Sequence, residues 1–394
     1  MGPYAGAPVH QASAGTVLRE WGRLGWIGFG GPPAHIALLR DLCVTRRGWM
    51  GDRDFEDAVA ACNLLPGPAS TQMAIYCAWR VRGRLGAVVG GLGFVVPGLL
   101  VMLVLAAIFL ADRPPAAIMG AAAGAGAAVA AVAVHAGTGL IPASYGRTAG
   151  GGRVRWGVYL VLGALAAASI GPWLVLVLIA CGAAEVAWRR AGSARARGGG
   201  AAGVHAWPLL AAAVPATGGL GALAWVALKV GALSYGGGFV IIPLMQGDAV
   251  HRYGWMTDTQ FSGAVALGQV TPGPVIHTVT AVGYAAAGTG GALLAAAIAF
   301  APSFAFVLAG AGRFDALRGN AAVRAFLDGA GPAAIGAILG SAVLLAVGVQ
   351  EAWQWAVLAG AAVLLLVARR GVVLTLLLAG AAGLVVALAG GPLP

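Results

Sequence analysis

Residues 63–72 of the chain read NLLPGPASTQ, and a second Pro-Gly-Pro triplet follows 206 positions after the first, within residues 268–274, GQVTPGP. Both triplets lie in strongly apolar segments. Proline lacks a backbone amide hydrogen and glycine adopts dihedral angles that other residues avoid, so each triplet predicts a break in a helix. The sequence therefore predicts two related helix breaks, one in each half of the chain.

The two triplets belong to a long internal repeat. Shifting the sequence by 206 residues aligns residues 25–94 with residues 231–300 without a gap, and 19 of the 70 positions are identical. The matches include Gly48, Trp49 and Met50, which return as a second Gly-Trp-Met run. Solenoid and propeller repeats have periods of roughly 20 to 50 residues, so the longer period indicates two homologous halves.

The repeat predicts how the chain is divided. We expect a flexible N-terminal tail over residues 1–15, because these residues are small and polar and lack the pattern of a cleaved signal. A first repeat follows over residues 16–187 and a second over residues 207–394. Between them, residues 188–206 form a basic linker on the cytoplasmic side.

The composition is typical of a polytopic membrane protein. The chain is 60% hydrophobic and 9% charged, with a mean hydropathy of +0.87, whereas soluble domains carry about 25% charged residues. Apolar stretches long enough to cross a bilayer as a helix include residues 85–110, 116–141, 291–312 and 372–388. Their continuous apolar runs lack the alternation of a membrane barrel. We therefore predict an all-α protein embedded in the lipid bilayer.

Charge and motif content exclude several function classes. The net charge of +11 comes from arginines between apolar segments, which is the positive-inside pattern and not a nucleic-acid-binding surface. The four cysteines show no CxxC spacing, so we expect free thiols, no metal and no other cofactor. The motifs HExxH, GxSxG and GxxxxGK[ST] are absent from the sequence, so we expect no catalytic residue and no ATP hydrolysis by this chain.

The arginine clusters also predict the orientation of the two halves. In the first half the loops on both sides of the triplet are basic, whereas the equivalent loops of the second half retain Arg252 alone. Because positive residues mark cytoplasmic ends of membrane segments, both ends of the first triplet segment face the cytoplasm. We therefore predict that residues 56–79 are re-entrant, with the triplet at the tip, and that the two halves form an inverted-topology repeat.

The first segment of each half allows two interpretations. Residues 16–39 either span the membrane, which places the N-terminus outside, or form another re-entrant segment broken at residues 29–33, which places it inside. Arg19 and Arg23 favour the re-entrant alternative because they precede the break.

The predicted breaks have the chemistry of an anion site. Non-helical backbone at membrane depth is tolerated where protein buries it or where it lines a wet cavity. A helix that begins after a triplet directs free amides, and about half a positive charge, toward the break. Nearby hydroxyl and amide groups without fixed charge suit a tetrahedral oxyanion, although Ser and Thr hydroxyls can instead bond carbonyls that the prolines free. The candidate substrate-binding residues are Asn63, Pro66, Gly67, Pro68, Ser70, Thr71, Gln72, Gln269, Thr271, Pro272, Gly273, Pro274 and His277.

A second pair of glycine-rich breaks is predicted at FGGPPAH, residues 29–35, and YGGGFVI, residues 235–241. Glycines allow backbone to approach a ligand, but in membranes small residues also serve plain helix packing. The histidine beside the first break either donates to an anion, carries a proton, or is a satisfied structural residue. The candidates in these segments are Gly30, Gly31, His35, Gly236 and Gly237.

Arginines near the ends of the apolar segments are candidates for attracting anions. Arg46 and Arg47 precede Trp49, and Arg252 precedes Trp255 in the second half. Arginine binds oxyanions through forked hydrogen bonds, although the same residues also fit ordinary orientation markers beside an interfacial tryptophan. Arg46 and Arg252 recur at equivalent positions while the second loop has lost its other arginines, which favours an electrostatic role.

The chain resembles the bacterial chromate ion transporter family in its long, two-domain form. The resemblance lies in GGPPAHIALLRDLCVTRRGWM and FEDAVAACNLLPGPASTQMAIY of the first half, and in GGGFVIIPLMQ and GWMTDTQFSGAVALGQVTPGPV of the second. It implies a secondary transporter of the bacterial inner membrane that exports chromate, confers chromate resistance, and meets sulfate as an analogue or counter-ion. A sulfate or molybdate transporter, an anion channel, and a homodimer all stay open.

Overall fold

The computed structural model describes residues 12–62, 67–111, 113–146, 148, 152–169, 174–197, 219–234, 241–310 and 320–394. Within these ranges every regular element is a helix, which confirms the predicted all-α class. By length and composition, four helices among the described residues could cross a membrane, and they are Ala69–Phe109, Ala116–Tyr145, Val275–Gly310 and Ala321–Val347.

The helices of the first half are α1 Ala14–Ile27, α2 Gly31–Arg40, α3 Asp52–Cys62, α4 Ala69–Phe109, α5 Ala116–Tyr145, α6 Gly152–Ser169 and α7 Leu174–Arg197. Those of the second half are α8 Leu220–Leu233, α9 Ile241–Gln246, α10 Asp258–Val270, α11 Thr278–Gly310, α12 Ala321–Val347, α13 Ala352–Ala362 and α14 Val372–Leu388. The π-helical turns Asp41–Arg46, Gly247–Arg252 and Val363–Val367 continue α2, α9 and α13, and the 3-10 turn Val275–His277 precedes α11. The first helix begins inside the segment predicted as a tail, and Ser13 caps it.

The α4 and α11 helices are hairpins. Gly83 has φ 62° and ψ −152°, and Gly288 has φ 60° and ψ −153°, values that reverse the chain and suit glycine. A Cβ built on Gly91 would lie 2.9 Å from Ile75 Cγ1, although a straight helix separates residues sixteen apart by about 24 Å. The arms of α4, residues 69–81 and 84–109, therefore run antiparallel.

The two reversals refine the internal repeat. Gly83 and Gly288 are 205 residues apart, whereas the two triplets are 206 apart. The second half is therefore one residue shorter between triplet and reversal. From the reversal onward the equivalents are offset by 205, so that Gly98 corresponds to Ser303. Gln72 and His277 occupy similar places, because the Nε2 atom of each borders the triplet glycine of its own half.

Both ends of the first triplet segment lie together. Asp54, in the first turn of α3, forms an ion pair of 3.5 Å with Arg80 near the end of the first arm of α4. Arg82 at the reversal donates to the Ala12 carbonyl oxygen, 3.0 Å away, just before α1. The triplet segment thus starts and finishes on the same side of the protein, as a re-entrant segment does. The α1 helix also starts on that side.

The α1 and α2 helices also return to one end. Glu20 in α1 forms an ion pair with Arg47, which follows the π turn after α2. Trp21 stacks on Trp49 with ring centroids 6.1 Å apart. Of the two interpretations of residues 16–39, these contacts support the re-entrant one.

Most packing among the described helices falls within two groups, each with helices from both halves, and α10 joins the groups because it packs on both α11 and α5. We call α1–α4 with α8–α11 the core bundle, and α5–α7 with α12–α14 the outer bundle. Glycines bring backbones together in the outer bundle, because a Cβ on Gly163 would lie 2.8 Å from Ala333 Cα and one on Gly124 would lie 2.9 Å from Gly383 Cα. All four cysteines are buried free thiols within this packing.

Candidate functional site

The second triplet is a helix break held by the first half. The α10 helix ends at Val270 and helical structure resumes at Val275, which confirms the predicted break. Gly273, at φ 98°, donates its backbone amide to the Gly28 carbonyl oxygen, 2.8 Å away at the end of α1. A Cβ on Gly98 of α4 would overlap the Pro272 carbonyl oxygen. The triplet therefore sits between α1 and α4.

The first triplet packs on the second half in the same way. Gly67, at φ 115°, and Pro68 lie outside helices just before α4. A Cβ on Gly67 would lie 3.3 Å from the Gly231 carbonyl oxygen of α8 and 3.4 Å from Ser303 Oγ of α11. The predicted site residues Asn63 and Pro66 lie outside the described residues. Each described part of a break thus contacts the opposite half of the chain.

A helical segment begins directly after each triplet. The N-terminus of α4 begins after Pro68, and the 3-10 turn leading into α11 begins after Pro274. Amide groups at such ends carry partial positive charge and lack helical partners, which makes them suited to an anion.

His277 projects into the second break. It is fully buried, and neither ring nitrogen has a hydrogen-bonding partner of regular geometry, although the backbone of Val95 lies beside the ring. Its ring packs on Phe300 with centroids 5.0 Å apart. A Cβ on Gly98 would lie 2.7 Å from His277 Nε2, so the absence of a side chain at Gly98 makes room for this ring.

His35 lies against the other side of the second break. Its Nε2 atom is 2.9 Å from the Gly28 carbonyl oxygen, the same oxygen that Gly273 binds, and its Nδ1 atom has no partner. The ring meets Phe94 edge to face at 5.1 Å. The Nε2 atom of His35 is therefore satisfied by the fold, whereas its Nδ1 atom has no hydrogen-bonding partner.

The hydroxyl and amide candidates divide into satisfied and unsatisfied groups. Thr271 Oγ1 donates to the Leu267 carbonyl oxygen at 2.6 Å, so its hydroxyl bonds a helix carbonyl as the alternative interpretation states. Thr71 Oγ1 and Gln269 Nε2 are buried without a partner. Ser70 and Gln72 are buried at the start of α4, and Gln72 Nε2 would lie 2.6 Å from a Cβ on Gly67.

The unsatisfied groups have a marked distribution. Among the described residues, buried side-chain nitrogen and oxygen atoms without a hydrogen-bonding partner all lie in the core bundle or the turns that connect its helices. Sequence reasoning missed several of them, because a lone hydroxyl in an apolar helix is indistinguishable from packing. Besides the residues above, such atoms occur in Arg82, Trp225, Ser234, Gln246, Asp248, Tyr253, Thr280 and Ser303.

The glycine-rich breaks are described in part. Gly30 and Gly31 have φ of 99° and 73° at the start of α2. They follow Gly28, where a Cβ would lie 3.0 Å from the ring of His35. A Cβ on Gly31 would meet no atom within 4 Å, so its backbone conformation and not crowding requires glycine. Gly236 and Gly237 lie outside the described residues.

The candidate arginines lie away from the breaks and have partners. Arg46 forms an ion pair of 2.9 Å with Asp41. Arg47 forms an ion pair with Glu20 of α1. Glu20 is eight residues before Gly28, where α1 ends, which is about 12 Å along a helix.

Their counterpart in the second half has an aromatic partner. Arg252 lies over the Tyr253 ring at 5.2 Å, and Tyr253 stacks on Trp255 at 4.7 Å. Burial raises the pKa of Tyr253, so its hydroxyl stays neutral at physiological pH. Arg252 therefore contacts Tyr253, and Tyr253 in turn contacts Trp255, the aromatic residue paired with Arg252 in the sequence analysis.

A buried ion pair that the sequence did not predict joins α8 to the π turn after α9. Lys229 Nζ bonds Asp248 Oδ2, and the two side chains are 8% and 1% exposed. Asp248 Oδ1 has no partner. Lys229 precedes by two residues Gly231, whose carbonyl oxygen borders the first triplet.

Comparison with known proteins decides the family. A family described as chromate transporter matches residues 15–186 and again residues 221–384. The chain belongs to the chromate transporter family. It is 34% identical over 358 residues to a chromate transport protein of Cupriavidus metallidurans, which covers 87% of this chain and 86% of the relative.

Two further members of the chromate transporter family align over most of the chain. A chromate transport protein of Pseudomonas aeruginosa is 33% identical and covers 82% of this chain and 79% of the relative. A probable chromate transport protein of Synechococcus elongatus is 30% identical and covers 86% of each. No solved structure matches. The predicted resemblance is confirmed, and the chain is a multi-pass membrane protein of this family.

Proposed function

We propose that the chain exports chromate from the cytoplasm across the bacterial inner membrane by alternating access, and thereby confers chromate resistance. Family membership supports chromate as the transported ion. The observation that carries the mechanism is the reciprocal packing of the two breaks, in which Gly273 bonds Gly28 and Gly67 borders Gly231. A single site at the interface of two related halves is the arrangement that many alternating-access transporters use.

The site suits a divalent tetrahedral oxyanion that binds and then leaves. Helix N-termini supply partial positive charge, and Thr71, Gln269 and His277 supply buried groups whose polar atoms lack protein partners. Neutral donors bind an anion without the long residence that a buried ion pair brings. We assign the remaining candidates at both triplets, including Asn63, to the same site.

The energy source follows from charge. Two negative charges that leave a negative interior gain about 4.6 kcal/mol per 100 mV of membrane potential. Export of chromate can therefore run on the membrane potential alone, and exchange for protons or sulfate is a further outcome of the flux test. Arg46, Arg47 and Arg252 attract anions to the two mouths in this proposal.

The proposal also includes inverted topology for repeats 16–187 and 207–394, joined by the basic linker 188–206. Arg53 follows the start of α3, and Thr259 is its equivalent at the start of α10. We expect a membrane-impermeant maleimide to label Arg53→Cys from the cytoplasm and Thr259→Cys from outside, in a background without native cysteines. Labelling of both positions from one side would contradict the inversion.

The test of function is uptake into proteoliposomes, with chromate, sulfate and molybdate in competition. We expect saturable chromate uptake that chromate on the opposite side stimulates. Sulfate uptake without chromate uptake would assign another substrate, and single-molecule conductance that scales with voltage would indicate a channel.

Matched glutamines test the site. Gln269 Nε2 is unpartnered in the core bundle, whereas Gln354 Nε2 donates to the Ala123 carbonyl oxygen at 3.1 Å in the outer bundle. Gln269→Ala should raise the KM for chromate by about tenfold or more, the value of a hydrogen bond to a charged group. Gln354→Ala should lower the unfolding midpoint and leave KM unchanged. Equal effects on KM would remove the binding role of the triplet region.

A further inference from the structure

Ser303 is a buried serine whose hydroxyl forms no hydrogen bond within the protein. It follows Pro302 inside α11, its side chain is fully buried, and its Oγ atom has no hydrogen-bonding partner. A helical serine in an apolar environment usually donates to a carbonyl three or four residues earlier. Ser341 in α12 does so, because its Oγ lies 2.8 Å from the Ile338 carbonyl oxygen while the side chain is equally buried.

The surroundings of Ser303 place it at the first break. Its Oγ atom would lie 3.4 Å from a Cβ on Gly67, and Gln72 Nε2 would lie 2.6 Å from the same point. Ser303 Oγ and Gln72 Nε2 therefore both border Gly67, in the first triplet. The Gly231 carbonyl oxygen is the third group there, at 3.3 Å.

The internal repeat shows that this arrangement has an unequal counterpart. The residue equivalent to Ser303 is Gly98, since the offset from the reversals onward is 205. Gln72 takes the place of His277, because the Nε2 atom of each borders the triplet glycine of its own half. At the second break Gly98 leaves room for the imidazole of His277. At the first break the hydroxyl of Ser303 and the side chain of Gln72 lie in the corresponding place.

We propose that Ser303 binds the transported oxyanion directly and donates its hydroxyl hydrogen to one oxygen, beside Gln72, while His277 serves the opposite end of the same ion. The inference rests on the proposed function, since it assigns a further substrate-binding residue to that site. An unbonded buried hydroxyl destabilises the fold, and a hydrogen bond to bound substrate accounts for its retention.

The test compares Ser303→Ala with Ser341→Ala in chromate uptake and in thermal unfolding of the purified protein. For Ser303→Ala we expect the KM for chromate to rise by about 10- to 100-fold, the loss of one hydrogen bond to an anion, with an unfolding midpoint that is unchanged or higher. For Ser341→Ala we expect a lower midpoint and an unchanged KM. Ser303→Cys, which keeps a weak donor of similar size, should give an intermediate KM.

The outcomes separate the two levels of the proposal. A wild-type protein that takes up chromate while Ser303→Ala keeps the wild-type KM overturns the role of Ser303 and leaves the proposed function intact. A wild-type protein that takes up no chromate, but sulfate or molybdate instead, overturns the proposed substrate. In that case the KM for the anion that is taken up decides the role of Ser303 by the same comparison.

Discussion

Gly98→Ala tests whether the close approach of α4 to the second triplet matters for transport. In a helix without tertiary contacts this change stabilises by about 1 kcal/mol. At position 98 the new Cβ would overlap the Pro272 carbonyl oxygen and lie 2.7 Å from His277 Nε2, whereas real Cβ atoms stay beyond about 3.0 Å. The break must move by several tenths of an ångström, and overpacking of this kind costs about 1–3 kcal/mol.

The net effect on stability is therefore a loss of up to about 2 kcal/mol. The displaced break also distorts the substrate site, so we expect transport to fall by up to about thirtyfold, since 1.4 kcal/mol of lost binding is a factor of ten. The assay measures chromate uptake in proteoliposomes beside the unfolding midpoint in detergent. Gly360→Ala in α13 is the matched control, because a Cβ there meets no atom within 4 Å, and it should raise the midpoint and preserve uptake. Wild-type uptake by Gly98→Ala would refute the proposed tight contact between α4 and the site.

Two further predictions concern the core bundle. Gly83→Ala and Gly288→Ala should each destabilise by about 1–3 kcal/mol, measured as the unfolding midpoint, because their backbone angles suit glycine alone; a midpoint unchanged in both would contradict the reversals. Lys229→Met should destabilise by about 3–5 kcal/mol because it leaves the Asp248 carboxylate buried and unpaired. The double variant Lys229→Met with Asp248→Leu should recover most of that loss, and failure to recover would show that packing, not charge, is responsible.

The sequence predicted those features that local chemistry determines. Proline and glycine specify the break at Thr271–Pro274 whatever surrounds them, and basic loops on both sides of residues 56–79 required a segment that returns. The contact between Asp54 and Arg80 agrees with that requirement. Inverted topology is a relation to the bilayer, so it stays a prediction.

Tertiary partners could not be predicted in the same way. The pairing of Arg47 with Glu20 joins residues 27 apart in sequence, and no periodicity signals it. Ser303 was missed for a second reason, because a gapless alignment at 206 pairs it with a proline of α4. The reversals at Gly83 and Gly288 are 205 residues apart, and only this shorter offset reveals that the counterpart of Ser303 is Gly98.

The distribution of unsatisfied polar atoms separates what the fold needs from what the function needs. Each buried polar group without a partner costs about 1–3 kcal/mol, and among the described residues this cost falls on the core bundle alone. In the outer bundle, buried Ser341 and Gln354 are hydrogen-bonded. Folding stability therefore explains why the outer bundle contains these two polar side chains. It does not explain the unpartnered polar side chains of the core bundle. Removing a core group such as Ser303 or Gln269 should therefore spare or raise stability and weaken transport, while removing its outer match should do the reverse.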